Sequence, residues 1–297
     1  MPQNPREYLS HREVNYGKKR LRLPVLDFDA ISIWVGPFKS QSPSTISRGE
    51  FGKVGTERLL EVLRRQQVLA SWFIPGHTID TYPQVVQKIA DVGHEIGHHG
   101  YCHENPVAVP LEEERRILER GIACIRRVTG KAPLGYRSPA WDLSPYSLNL
   151  LMEFGFLYDS SMMANDFTPY YCRLGDEVHT DGPYIFGKEV DLVELPVDWS
   201  LDDWPYFGLH WPAYHVGLRN PDDVSRVWSA DFDFLYQRMG EGVFILTMHP
   251  QVIGRGHRIL MLEKLIEYMK GHEGVTFKTM SQVATEWKQA HPLAKAE

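Results

Sequence analysis

The chain alternates short apolar runs with amphipathic stretches. LRLPVLDFDA, around residues 21–30, opens the pattern and predicts a strand. A stretch carrying Gly, Ser and Pro from Gly36 to about Gly52 predicts a loop; after it, TERLLEVLRRQQ places Leu59, Leu60 and Leu63 on one helical face. LASWFIP (69–75) predicts a buried strand ending at a proline, TYPQVVQKIADVG a helix closed by Gly93, and HEIGHH the next short strand. Pro110 opens a helix that runs to about Val128. PLGYRSP (133–139) predicts a strand, and SPYSLNLLMEFG a helix with Ser144 as N-cap and Pro145 as its first residue. Strand DLVELP, a helix over 221–239, strand VFILTMH and a helix over 255–270 follow; the last places Ile259, Leu262, Leu265, Ile266 and Met269 on one stripe. VTFKTM and a final helix close the chain.

Strands and helices thus alternate roughly seven times, the signature of βαβ units and a parallel sheet. The pattern leaves a barrel and an open sheet both standing. No strand is followed by a glycine-rich phosphate loop, which disfavours a nucleotide-binding fold. The length of 297 residues fits one catalytic domain over 1–297, with its core over about 20–290. One segment, 160–220, breaks the rhythm. It holds Tyr170, Tyr171, Tyr184, Phe186, Trp199, Trp204, Tyr206, Phe207, Trp211 and Tyr214 with little periodicity. Such a segment predicts either loops that enclose a ligand or the seal of a core or subunit interface.

Composition narrows the function classes. With 43% hydrophobic and 24% charged residues the chain is an ordinary globular sequence, and a net charge of -6 lacks the basic footprint of a nucleic-acid binder. Cys102, Cys124 and Cys172 are odd in number and widely spaced, which suits a reducing compartment. The polar N-terminus has no apolar h-region and no apolar run approaches about 20 residues, so we expect a cytoplasmic protein with no membrane partner.

The candidate chemistry centres on EIGHHGYCHENP and the histidine before it. His94 and His98 share one spacing of four, His99 and His103 another. Four residues along a strand cover about 13 Å. One ion with metal–nitrogen bonds of about 2 Å cannot bridge His94 and His98. His99 ends the strand and His103 lies beyond it. If the chain turns helically there, the two imidazoles share one face about 6 Å apart and can converge on a metal. His94 and His98 are then packing or capping residues, and Cys102 a small buried one. A third ligand is offered by LDFDA. Asp27 and Asp29 stand at i and i+2 on a strand and so face one side. Two like charges so close call for a cation. One Asp then binds metal and the other stays free as a base; otherwise Asp29 caps a turn and Asp27 pairs with Arg22 or Arg137. Arg137 and Trp141 in YRSPAW, and His249 ending ILTMHP, also lie at strand C-terminal ends, where sites in parallel α/β folds assemble.

Taken in order, the acidic pair, H-x-x-x-H, R-x-P-x-W and the late histidine resemble the polysaccharide deacetylase family. Within it, SPSTISRGEFG, GHEIGHHGYCHENP and NDFTPYY are most similar to a subgroup of cyclic imide hydrolases, allantoinase-like enzymes and a cytosol-type peptidoglycan deacetylase. The resemblance implies a distorted (β/α)7 barrel of that family's type, an α/β fold. It implies a divalent ion, zinc, held by Asp29, His99 and His103, with Asp27 as general base, Arg137 positioning it and His249 as general acid. It also implies a homo-oligomer, a tetramer. This sequence departs from the family pattern in three ways: Phe28 separates the aspartates, Thr247 replaces the usual leucine, and the acid supporting His249 is open among Asp198, Asp202 and Asp203. Allantoinase-like members tend to lose the acidic ligand, whereas Asp29 is kept. The expected activity is hydrolysis of an amide or imide carbon–nitrogen bond that is not a peptide bond. Without an export signal the chain meets wall polymer poorly, so a small cyclic imide or amide is the first expectation. Trp141, Tyr170 and Tyr171 would contact it, and N-deacetylation of a sugar amide is the alternative. A non-haem iron oxygenase also uses two histidines and a carboxylate, but sits on antiparallel β folds. A non-catalytic binding module would have no need of acid, base and ligands together.

Overall fold

A computed structural model of the protein describes residues 20–209 and 217–293; Trp211, Tyr214 and the polar stretch ahead of Arg20 lie outside them. The first strand, β1 (Arg20–Asp27), leads through the short helix α1 (Ser32–Val35) into the long helix α2 (Pro43–Gln66). Then come β2 (Ser71–Ile74), α3 (Gly76–Thr81), α4 (Pro83–Asp91), β3 (Glu95–His98), α5 (Leu111–Thr129), β4 (Gly135–Tyr136), α6 (Ser147–Glu153) and β5 (Tyr158–Asp159). A hairpin of β6 (Tyr170–Leu174) and β7 (Lys188–Glu194) follows, then α7 (Trp204–Phe207), α8 (Pro221–Phe234), β8 (Val243–Met248), α9 (Pro250–Ile253), α10 (Gly256–Lys270), β9 (Val275–Phe277) and α11 (Met280–Ala290).

The strands form one sheet in the order β6-β7-β5-β4-β3-β2-β1-β8, with β9 paired to the start of β1. All pairings are parallel except β6 with β7. The sheet curls on itself. Val25 of β1 and Val193 of β7 belong to one buried cluster, with Phe73, Tyr158 and Ile245, although four strands separate β1 from β7. Neighbouring positions on β1 and β8 face the other way: Leu26, Phe244 and Leu246 pack outward against the helices. This is a distorted (β/α)7-type barrel. No ladder among the described residues joins its ends at β6 and β8. A backbone bond from Val243 N to Phe167 O (2.8 Å) spans part of the gap. Helix α11 closes the bottom, inserting Met280, Val283 and Ala284 among the interior side chains. Its first amides donate to Ser71 Oγ (2.8 Å, from Met280) and Glu95 Oε2 (3.0 Å, from Ser281).

Three expectations are corrected. The stretch from Gly36 to Gly52 is not all loop, because α2 starts at Pro43 with Ser42 as its N-cap. Gly49, Gly52 and Gly55 form the buried face of its first half, where the backbones of Ala30 and Pro250 come too close for side chains, and Leu59, Val62 and Leu63 that of its second. Ser144 does not cap α6. It accepts from Tyr146 N and donates to Glu114 Oε2 (2.5 Å), and the helix starts at Ser147. The helix expected over 221–239 ends as α8 at Phe234 and continues as a wider π turn to Met239. Among the described residues no helix is long and apolar enough to cross a membrane.

Candidate active site

Parallel strands deliver their C-terminal ends to one rim. Asp27 ends β1, while His99, Arg137 and His249 each stand directly after β3, β4 and β8. Phe28 turns to the helix side, its ring 6.5 Å from Trp72 and edge-on. Asp27 and Asp29 are thereby left on the rim together, both buried.

Asp29, His99 and His103 meet here. Asp29 Oδ1 lies 3.4 Å from His99 Nε2 and 3.9 Å from His103 Nε2, and the three ligand-type atoms lie within 4.8 Å of one another. The approach of the histidines does not come from a helical turn. Gly100 (φ 69°) and His103 (φ 60°) adopt left-handed backbone, and Glu104 Oε2 ties the turn by accepting from Tyr101 N and Cys102 N. Cys102 is half-buried, its thiol directed at Ser32 O, rather than buried as expected. His94 and His98 behave as packing residues. His94 Nδ1 accepts from Ala70 N, and His98 bonds Leu118 O and Gly100 N.

The donor set fits a divalent cation. His99 Nδ1 donates to Arg137 O (2.7 Å), which leaves the Nε2 lone pair aimed at Asp29. Burial holds His99 and His103 down to about 3, so both imidazoles are neutral, the form that can donate to a metal. Asp29 Oδ1 is buried without a hydrogen-bond partner. Burial pushes Asp29 up to about 8, against the pull of His249, the signature of a carboxylate lacking a counter-charge.

On one side of this cluster Arg137 donates from Nη1 to Asp27 Oδ1 (3.2 Å) and Thr247 Oγ1 (3.0 Å). The same guanidinium is fixed by Ser160, through its carbonyl (3.1 Å) and hydroxyl (2.8 Å). Thr247 thus supplies an acceptor that leucine would not. On the other side His249 Nδ1 donates to Asp203 Oδ1 (2.7 Å), and its amide donates to Asp203 Oδ2 (3.0 Å). Asp202 stands 3.7 Å from the same nitrogen. Asp198 instead accepts from Ser200, away from the histidine. Burial alone would lower the pKa of His249, but Asp202 and Asp203 raise it well above the ordinary value. Asp202, Asp203 and His249 also have ligand-type atoms close together. The short His249–Asp203 bond makes them an ion pair rather than an open donor set.

Asp27, His99, His103, Asp202 and His249 border a cavity of about 300 Å³. Its apolar wall includes Phe38, Trp141, Trp199 and Trp204, and the Trp141 and Trp199 rings lie 4.2 Å apart. Ala140 (φ 57°) and Trp141 (φ 53°) hold strained left-handed backbone at this wall, as Ala30 (φ 51°) does after Asp29. The structure does not bring Tyr170 and Tyr171 here. Their strand β6 is at the sheet edge, where Tyr171 packs on Trp287 (5.0 Å) and donates to His291 O, and Tyr170 accepts from Ala164 N. The 160–220 segment divides accordingly. Residues 199–204 wall the cavity, while Tyr184 and Phe186 are exposed on the β6–β7 arm. Sequence reasoning missed Ser160, Gln251 and the choice of Asp203. Ser160 follows β5 and Gln251 follows His249, so both obey the strand-end rule that found the others. Gln251 Nε2 donates to Asp29 Oδ2 (3.3 Å).

Residues 44–158 match the family model described as polysaccharide deacetylase. The chain is 40% identical over 283 residues to the peptidoglycan deacetylase of Helicobacter pylori, a match covering 91% of this chain and 97% of that one. A Mycobacterium smegmatis structure provisionally assigned as a polysaccharide deacetylase superposes with a TM-score of 0.82 at 34% identity, covering 95% of this chain and 96% of that one. An allantoinase structure has a TM-score of 0.77 at 24% identity, with 99% of both chains covered, a likeness of fold.

Proposed function

This chain belongs to the polysaccharide deacetylase family, hydrolases of carbon–nitrogen bonds other than peptide bonds, and from that premise we propose that it removes the acetyl group from an N-acetylated sugar of the peptidoglycan type. The observation that carries the proposal is Asp29 with two neutral histidines, flanked by the Asp27–Arg137 and His249–Asp203 pairs on opposite sides. In this reading Asp29, His99 and His103 hold a divalent ion, zinc. When bound, such an ion polarises the amide carbonyl and acidifies water.

The protein's own groups do the remaining work. Asp27, held by Arg137, accepts a proton from the attacking water. His249, kept protonated by Asp202 and Asp203, donates one to the departing nitrogen, so base and acid are separate groups. Arg137 cannot follow the proton, since Ser160, Thr247 and Asp27 fix its guanidinium. The aromatic wall excludes water and stacks on the sugar face or a ring of similar size.

The name of the Helicobacter relative supports the sugar amide over the cyclic imide of the first expectation. The small aromatic cavity favours a second reading, opening of a small planar ring amide or imide, because about 300 Å³ is at the low end for ligand sites. Metal-loaded protein incubated with N-acetylated glycan oligomers and, separately, with succinimide-like and hydantoin-like rings decides between them. Acetate release from the oligomers with the rings intact is the expected result. Ring opening without acetate would replace it with the second reading.

A further inference from the structure

Behind Trp204, on the side away from the catalytic cavity, lies a second cavity of about 430 Å³. Trp204 and Gln251 line it, and each also serves the active site: Trp204 walls the catalytic cavity, and Gln251 reaches Asp29. Its charged lining among the described residues is entirely cationic, from Arg48, Arg255, Arg258 and, when protonated, His257. Among the described residues none of Arg48, Arg58, Arg255 and Arg258 is in a salt bridge, whereas Arg64, Arg65, Arg115, Arg116, Arg127 and Arg226 pair with carboxylates.

The guanidiniums are positioned instead by aromatic packing and by backbone carbonyls, Arg48 donating to Leu209 O and Arg58 to Gly254 O. Arg48 lies over Trp34 (4.3 Å), Arg255 over Phe51 (3.5 Å) and Arg258 over Phe207 (4.5 Å). Arg258 is 6% exposed, donates from Nη1 to Val252 O and keeps a buried Nε with no acceptor. Asp203 acts on Arg258 through space, but both its oxygens are engaged by His249. The pKa values of Arg48 and Arg255 are lowered by burial and then by a neighbouring arginine. Arg255, His257 and Arg258 also sit at the start of α10. That first turn contains no acid, and the helix dipole disfavours cations there. Arg48 is half-buried and Arg255 exposed, so the buried Arg258, with its unpartnered Nε, is the cation that gains most from an anion placed among the three.

We propose that this cavity is a binding site for an oxyanion, a carboxylate or phosphate group, held by Arg48, Arg255 and Arg258 across Trp204 from the reacting centre. Planar guanidiniums match the paired oxygens of such groups, and Arg48 and Arg258 each keep donors beyond the one given to a backbone carbonyl. The anion belongs either to the substrate itself or to a separate small molecule.

Binding is read without turnover, so its outcome is independent of the hydrolase reading. Metal-loaded protein is titrated with inorganic phosphate and with succinate, at fixed ionic strength against chloride, following the unfolding temperature and the heat of binding. A saturable rise in unfolding temperature beyond that in chloride is expected for the natural chain. It should be lost in the double variant Arg48→Gln, Arg255→Gln, whose unfolding temperature in chloride is not lowered because repulsion is relieved. Rates with a neutral N-acetylated oligomer and with a carboxylate-bearing one then identify the source. A KM raised about tenfold or more by the double variant for the acidic oligomer alone assigns the anion to the substrate. A phosphate effect on the neutral oligomer in the natural chain alone assigns it to a separate molecule. No saturable rise with either anion, or the same rise in the double variant, would overturn the proposal.

Discussion

Asp27 and Asp29 are two residues apart and nearly equally buried, yet they face different partners: Asp27 the guanidinium of Arg137, Asp29 two neutral imidazoles. On the proposed function, that difference makes Asp27 the base and Asp29 the ligand. Asp27→Asn should lower kcat by about 10²–10⁴ with bound metal unchanged, measured by acetate release beside metal analysis. Asp29→Asn should lose the metal itself. His249 is protonated because Asp202 and Asp203 outweigh its burial. An acid works only while protonated, so activity falls as pH rises through its pKa. Asp203→Asn removes a stabilising charge and lowers that pKa, so the alkaline limb of the pH–rate profile should move to lower pH. A limb that did not move would separate His249 from proton donation. At this scale the sequence allowed much to be read. Asp27, Asp29, His99, Arg137 and His249 sit at or just past strand ends, and a strand end shows in the apolar pattern. Tyr170 and Tyr171 could not be placed, because an aromatic pair looks the same in an edge strand as in a pocket wall. Asp203 could not be chosen over Asp202 or Asp198 because the choice depends on the turn after β7.

Elements with a clear apolar period, such as α5, β8 and α10, were legible. Helix α2 was half-hidden, because the buried face of its first half is built from Gly49, Gly52 and Gly55, and the apolar stripe of Leu59, Val62 and Leu63 starts only in its second half. The same close packing makes a prediction. A Cβ at Gly55 would overlap the Pro250 carbonyl oxygen, and Pro250 follows His249 at the start of α9. Gly55→Ala should therefore cost about 1–3 kcal/mol in urea denaturation and weaken catalysis as α9 shifts. Gly93→Ala is the informative contrast. An added Cβ there meets nothing, but φ of 86° disfavours it, so only a backbone cost of about 1 kcal/mol is expected, with catalysis intact. The turn over 100–103 was read as helical because H-x-x-x-H is the spacing of one helical turn. Left-handed backbone at Gly100 and His103 achieves the same convergence with no mark in the spacing.

Across the whole molecule, the curled parallel sheet gathers Asp29, His99 and His103 from the ends of β1 and β3 at one rim, while α11 seals the opposite end. Whether this sheet closed could not be read from the alternation of elements, since closure is decided by the β6–β7 hairpin that ends the ladder. The cost of an uncompensated Asp29 is spread over the fold, so the metal should stabilise all of it. At a hundredfold excess over Kd, about 2.7 kcal/mol is expected, or roughly 4–5 °C in Tm by calorimetry with and without chelator. The central claim is that one divalent ion, held by Asp29, His99 and His103, is required for cleavage of the carbon–nitrogen bond. Its most direct test is acetate release by chelator-stripped protein during titration with zinc. The account predicts no release from the stripped protein, full recovery at one equivalent, and no recovery at that level in His103→Ala. Undiminished release after complete metal removal, or equal recovery in His103→Ala, would contradict it.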